Sequence, residues 1–207
     1  MRYYIIAYTL LAGVFIGFGH SLPVALSALL KILPLLLLLF LVARSFAAYS
    51  GLLILALVFG LGGDVAMAFE RFMLGLGLFL VGHIFYIGLW CQQLDVSRCW
   101  RLIPLLLLTI AGASYLLPHT GEMMVAVALY FSVITLMAAT ASLSSIASGL
   151  GLLGAYSFLV SDFVIGWNKF IEPLQWAPSV IMVTYYLAQL LMVVAVIRFQ
   201  RHQVEPA

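Results

Sequence analysis

Residues 60–86, GLGGDVAMAFERFMLGLGLFLVGHIFY, hold two apolar runs joined at one charged corner, Glu70-Arg71. An acid, Asp64, follows Gly60, Gly62 and Gly63 inside the first run, and His83 and Tyr86 sit inside the second. A corner between two uninterrupted apolar runs predicts a pair of antiparallel membrane helices. An ionisable side chain within such a helix costs roughly 2.5–3.5 kcal/mol on insertion scales, so it faces a bundle interior or a watery cavity. A second acid, Asp162, occurs in the same kind of setting, in GAYSFLVSDFVIGWNKF at 154–170. These two acids are the functional lead.

Composition extends this reading to the whole chain. Of its 207 residues, 66% are hydrophobic and 8% charged, with a mean hydropathy of +1.22. So little charge does not cover a soluble surface, whereas a bilayer asks for repeated spans of about 20 apolar residues. The runs are long and continuous, without ten-residue alternation, so the spans are helices and the fold class is an all-α polytopic membrane bundle. Eight spans are expected, at about 3–19, 22–43, 49–69, 72–93, 101–117, 123–143, 149–167 and 179–199. Loops are short and no linker divides the chain, so 1–207 is expected to be one transmembrane domain.

Basic residues near the span ends set an expected orientation. With the N-terminus inside, the inner segments hold Arg2, Arg44, Arg98, Arg101, Arg198 and Arg201, against Arg71 and Lys169 outside. The positive-inside rule then puts both termini in the cytoplasm. A net charge of +2 leaves no basic patch to neutralise a run of phosphates, so nucleic acid is not expected as a partner; the lipid bilayer is. Cys91 and Cys99 form neither CxxC nor a Cys/His cluster, which argues against a zinc site or a disulfide framework. With no P-loop, GxSxG or HExxH motif, no metal and no cofactor are expected.

Each polar group has a structural reading beside its functional one. Asp64 or Asp162 can pair with Lys31 in a buried ion pair that holds helices together. Lys31 can also snorkel toward the interface, with Pro34 kinking the next turn. His83 and Tyr86 share a helix face at i,i+3, as Tyr185 and Gln189 do at i,i+4. Tyr185 also suits an interfacial aromatic belt. The glycines around Asp64, and Gly149, Gly151 and Gly154, are close-packing devices.

Taken in order, Lys31-Ile32-Leu33-Pro34, Gly63-Asp64, His83-x-x-Tyr86, Tyr130 with Met137, Gly154-Ala155-x-x-Phe158-x-x-Ser161-Asp162 with Lys169-Phe170, and Tyr185-Tyr186-x-Ala188-Gln189 resemble the YhhN family of membrane lysoplasmalogenases. Two residues separate the lysine from its proline here, where some members have them adjacent. The resemblance implies an eight-helix protein of the cell membrane, in a bacterium the inner one. It also implies hydrolysis of the vinyl ether of a lysoplasmalogen to a fatty aldehyde and glycerophosphocholine or glycerophosphoethanolamine.

That reaction needs a carboxylic acid to protonate the β-carbon and a carboxylate to stabilise the cation or activate water. Two buried acids supply both states. On this reading Asp64 and Asp162 are catalytic. His83 and Tyr86 orient the water or hold the head group, Lys31 or Gln189 contacts phosphate or glycerol, and Ser161, Tyr185 and Tyr186 complete the substrate-binding set. The second reading is a proton-coupled lipid or small-molecule transporter, in which the same acids relay protons. An intramembrane aspartyl protease would need glycine at position 61, where this chain has Leu61.

Overall fold

The computed structural model describes residues 2–45 and 49–204. Within them the chain forms eight α-helices: α1 Arg2–Phe18, α2 Val24–Ala43, α3 Ser50–Ala68, α4 Phe72–Trp90, α5 Leu102–Leu116, α6 Met124–Leu143, α7 Ser148–Phe170 and α8 Ala177–Val204. Short 3-10 turns extend α4, α5 and α6, so that seven segments are long and apolar enough to cross a membrane: Val24–Ala43, Ser50–Ala68, Phe72–Gln93, Val96–His119, Gly121–Leu143, Ser148–Phe170 and Ala177–Gln203. The chain is therefore an all-helical, multi-pass membrane protein. α1 is apolar but has 17 residues. At 1.5 Å per residue it reaches only about 25 Å, short of a hydrocarbon core of about 30 Å. It ends where Gly19–Ser21 tightens into a 3-10 turn and Pro23 stands before α2.

The described residues fall into two compact units, Met1–Leu89 with Val196–Ala207, and Trp90–Ala195. In the first unit α2 packs against α1 and α3. The corner between α3 and α4 closes with Glu70 in the left-handed region at φ 59°. There the Glu70 N–H donates to the Met67 carbonyl and the Arg71 N–H to that of Ala66, at 3.1 and 2.9 Å. This is the Schellman pattern, which satisfies the last carbonyls of α3 and turns the chain back. The returning α4 comes close at Gly82, where a Cβ would lie 3.2 Å from the Ala56 carbonyl oxygen. The hairpin predicted from residues 60–86 is thus built on a tight corner and small-residue packing.

In the second unit α6 packs against both α5 and α7. Its loops are tied to each other at one end. The Asp95 N–H donates to the Leu143 carbonyl and the Ser145 N–H to that of Gln93, both at 2.8 Å. The Arg98 guanidinium reaches the Ser144 carbonyl at 2.9 Å and the Asp95 carboxylate at 2.9 Å. Asp95 in turn accepts from the Ser97 hydroxyl at 2.6 Å and the Ser97 N–H at 3.1 Å. The Ser97 hydroxyl bond, with help from the Ser97 N–H and the Arg98 charge, holds this exposed carboxyl below its ordinary range.

Candidate active site

In the first unit, Lys31 of α2 places its Nζ 3.1 Å from Asp64 Oδ1 of α3. The Asp64 side chain is 2% exposed and that of Lys31 14%. Two charges taken so far out of water hold only as a pair, because either alone would face a desolvation cost of several kcal/mol. Local sequence prepares this contact. Pro34, inside α2, lacks the N–H that would bond the Leu30 carbonyl, which loosens the helix beside Lys31. On α3, a Cβ on Gly63 would sit 2.9 Å from the Phe79 ring of α4, so the residue beside the acid must stay small. His83 and Tyr86 of α4 are both buried, one helical turn apart, as their i,i+3 spacing predicts.

In the second unit, the Tyr130 hydroxyl of α6 donates to Asp162 Oδ2 of α7 at 2.5 Å. This bond orients the acid. The neighbouring Ser161 is fully buried, and its hydroxyl donates to the Ile181 carbonyl of α8 at 3.1 Å. Tyr185, Tyr186 and Gln189 are buried on α8. The Tyr185 ring stands edge-on to Phe158 at 5.3 Å and lies 5.7 Å from Tyr186. Here too small residues bring helices close: a Cβ on Gly154 would lie 2.8 Å from Met192 Cγ and 2.9 Å from the Ala188 carbonyl oxygen.

Lys31, Asp64, His83 and Tyr86 thus belong to the first unit, and Ser161, Asp162, Tyr185, Tyr186 and Gln189 to the second. The fold joins Lys31 to Asp64 and gives Asp162 a partner, Tyr130, that was no part of the site set read from sequence. The only sequence signal for Tyr130 was its place in the family pattern. Among the described residues no three His, Cys, Asp or Glu side chains gather where a metal ion would be held.

Seven membrane-length helices, with one acid ion-paired in the interior and another hydrogen-bonded to a buried tyrosine, define a multi-pass membrane protein that carries ionisable groups within its helices. More specifically, the chain belongs to the YhhN family, whose model matches residues 26–196. Lysoplasmalogenase TMEM86B of Rattus norvegicus is 34% identical over 180 residues, covering 85% of this chain and 75% of the relative. The Homo sapiens protein of the same name is 32% identical over 176 residues, covering 83% and 76%. Lysoplasmalogenase TMEM86A of Homo sapiens is 30% identical over 200 residues, covering 86% and 80%. No solved structure matches the chain.

Proposed function

We propose that this protein is a lysoplasmalogenase, an integral membrane hydrolase that cleaves the vinyl ether of a lysoplasmalogen to a fatty aldehyde and glycerophosphocholine or glycerophosphoethanolamine. The observation that carries the reading is the similarity to curated lysoplasmalogenases over most of the chain. The chemistry of its two acids supports it. Protonating the β-carbon of the ether makes an oxocarbenium ion, water adds at the α-carbon, and the hemiacetal collapses with loss of the glycerol oxygen. The step needs a proton donor and a carboxylate.

Their bonding suggests the division of labour. Asp64, ion-paired with Lys31, is the carboxylate that stabilises the cation or activates the water. Asp162, whose partner is a neutral phenol, is the proton donor, held in orientation by Tyr130. His83, Tyr86, Tyr185, Tyr186 and Gln189 serve the water and the polar part of the substrate. Ser161 contributes through the α7 to α8 contact it makes. The proposal includes an eighth crossing by α1 in a membrane locally thinned around it, both termini cytoplasmic, and the chain working as one domain, in the inner membrane if the host is a bacterium.

The test is aldehyde release from choline and ethanolamine 1-alkenyl lysophospholipids by purified protein in detergent, beside Asp64→Asn and Asp162→Asn. Release by the parent protein and its loss in both folded variants is the expected result. Full activity in either variant removes that residue from the mechanism, and no release by folded parent protein removes the function.

A further inference from the structure

Two 3-10 turns, Cys91–Gln93 and Val96–Arg101, join α4 to α5. They fall where the membrane-length segments Phe72–Gln93 and Val96–His119 meet, and so stand at a membrane surface. Leu94, Val96 and Trp100 are exposed there. An indole and two aliphatic side chains presented at the end of a span suit the boundary between lipid head groups and acyl chains.

Two arginines share this end of the second unit with one acid. That acid, Asp95, is taken by Arg98, whose Nε stands 2.9 Å from the carboxylate and whose Nη1 donates to the Ser144 carbonyl at 2.9 Å. Glu122 and Glu172 follow the far ends of α5 and α7, and Asp162 is bonded to Tyr130. Arg101 is therefore left without an acid. It is nevertheless held in place. The side chain is half-buried, its guanidinium carbon lies 5.5 Å from the centre of the Trp100 ring, and Nη1 is enclosed without a hydrogen-bond partner among the described residues. Nε and Nη2 are neither enclosed in this way nor hydrogen-bonded to a described residue. That leaves open the edge of the guanidinium that matches two oxygens of a phosphate.

We propose that Arg101 and Trp100 seat the head group of an anionic phospholipid, whose phosphate takes the Nε and Nη2 edge of Arg101 while its chains run beside Trp100, Val96 and Leu94. A soluble anion would leave those apolar side chains uncovered. A zwitterionic lipid would bring an ammonium to a place where the one acid is already paired. The seat is separate from the acids: Tyr156 of α7, whose hydroxyl stands 3.5 Å from the Arg101 carbonyl oxygen, lies six residues before Asp162, about 9 Å along the helix axis. The inference thus stands apart from the hydrolase reading. In the orientation proposed above this face is cytoplasmic, where anionic lipids give the leaflet its negative potential.

Trp100 itself reports on the lipid beside it. The parent protein and Trp100→Phe are reconstituted in phosphatidylcholine vesicles in which a rising fraction of the lipid is chain-brominated phosphatidylglycerol or chain-brominated phosphatidylcholine. The difference in fluorescence quenching between the two proteins is the Trp100 contribution. The same difference is taken in Arg101→Gln and Arg201→Gln backgrounds.

The expected result is a relative binding constant about fivefold in favour of phosphatidylglycerol, the worth of one basic side chain at an anionic surface. Arg101→Gln should bring it close to one, whereas Arg201→Gln, which removes the same charge from an exposed position on α8, should leave it. The preference should persist at about 1 M salt, where diffuse attraction is screened within about 3 Å. No preference in the parent protein overturns the proposal, whatever the variants do. A preference abolished by salt, or lost equally in Arg201→Gln, means diffuse surface attraction and overturns it. A preference erased by millimolar inorganic phosphate marks a site for a free anion and overturns it as well.

Discussion

Replacing Lys31 by methionine keeps most of the side-chain volume and removes the ammonium 3.1 Å from Asp64 Oδ1. Because the Asp64 side chain is only 2% exposed, water does not take the place of the lost charge. Breaking one side of a buried pair in this way costs about 3–5 kcal/mol. The lower end applies here, because Lys31 is 14% exposed and part of the pair's field is already screened. For a chain of this length, a loss of about 3 kcal/mol lowers the unfolding midpoint by roughly 6–12 °C. Lys31→Met with Asp64→Asn removes both charges and is expected to recover much of that loss, since a pair replaced by neutral groups need not cost stability. Thermal unfolding of the parent, Lys31→Met, Asp64→Asn and the double variant in one detergent measures the coupling. A Lys31→Met midpoint within 2 °C of the parent, or a double variant no more stable than Lys31→Met, would refute a buried pair that matters to the fold.

Gly154→Ala is expected to cost about 1–3 kcal/mol by overpacking, because its methyl would meet Met192 and the Ala188 backbone below 3 Å. Gly149→Ala, with nothing within 4 Å, is the unaffected control in the same melting experiment. Tyr130→Phe removes the bond to Asp162 and leaves the ring; kcat/KM should fall by roughly two- to tenfold, as a hydrogen bond between neutral groups is worth about 0.5–1.5 kcal/mol, and unchanged turnover would count against Asp162 as a positioned acid. Asp95 is held below its ordinary carboxyl range, first by the Ser97 hydroxyl. Its contribution is therefore present above the unfolded value of about 3.9 and is lost as pH falls below it. Hydrogen-exchange protection at Asp95 and Ser145, taken relative to the intrinsic rate at each pH, should fall below that pH in the parent protein, while Asp95→Asn shows reduced protection already at neutral pH and no such step.

The helices could be read in advance because their composition is nearly pure: leucine and valine runs broken by a few polar corners leave little choice of boundary. Departures occur where a helix outlasts its apolar run. α8 continues through Arg198, Gln200 and Arg201, and α7 through Asn168 and Lys169, since backbone hydrogen bonding persists after hydropathy ends. α1 shows the converse, an apolar run whose turn at Gly19–Ser21 stops it before membrane length.

The acids were legible because an ionisable group in an apolar run is costly and therefore rare. Their partners were not fully legible. Lys31 lies 33 residues from Asp64, and sequence offered the ion pair only as one choice among several. Tyr130 is one of five hydroxyl residues in an apolar helix, with Ser132, Thr135, Thr140 and Ser142, and its meaning comes from the residue opposite it on α7. Ser161 entered the substrate-binding set through the family pattern, yet successive residues of a helix point about 100° apart, and its hydroxyl is bonded to α8.

The mechanism has a signature in the product itself. Protonation of the β-carbon in D₂O places one solvent deuteron on carbon 2 of the released aldehyde. Mass spectrometry of the aldehyde, trapped as it forms from a 1-alkenyl lysophospholipid, reads it directly. The account predicts one deuterium at that carbon in the parent protein and no aldehyde from Asp162→Asn. Aldehyde released without deuterium would show that the ether is not opened by carbon protonation, and would contradict the role given to the acid.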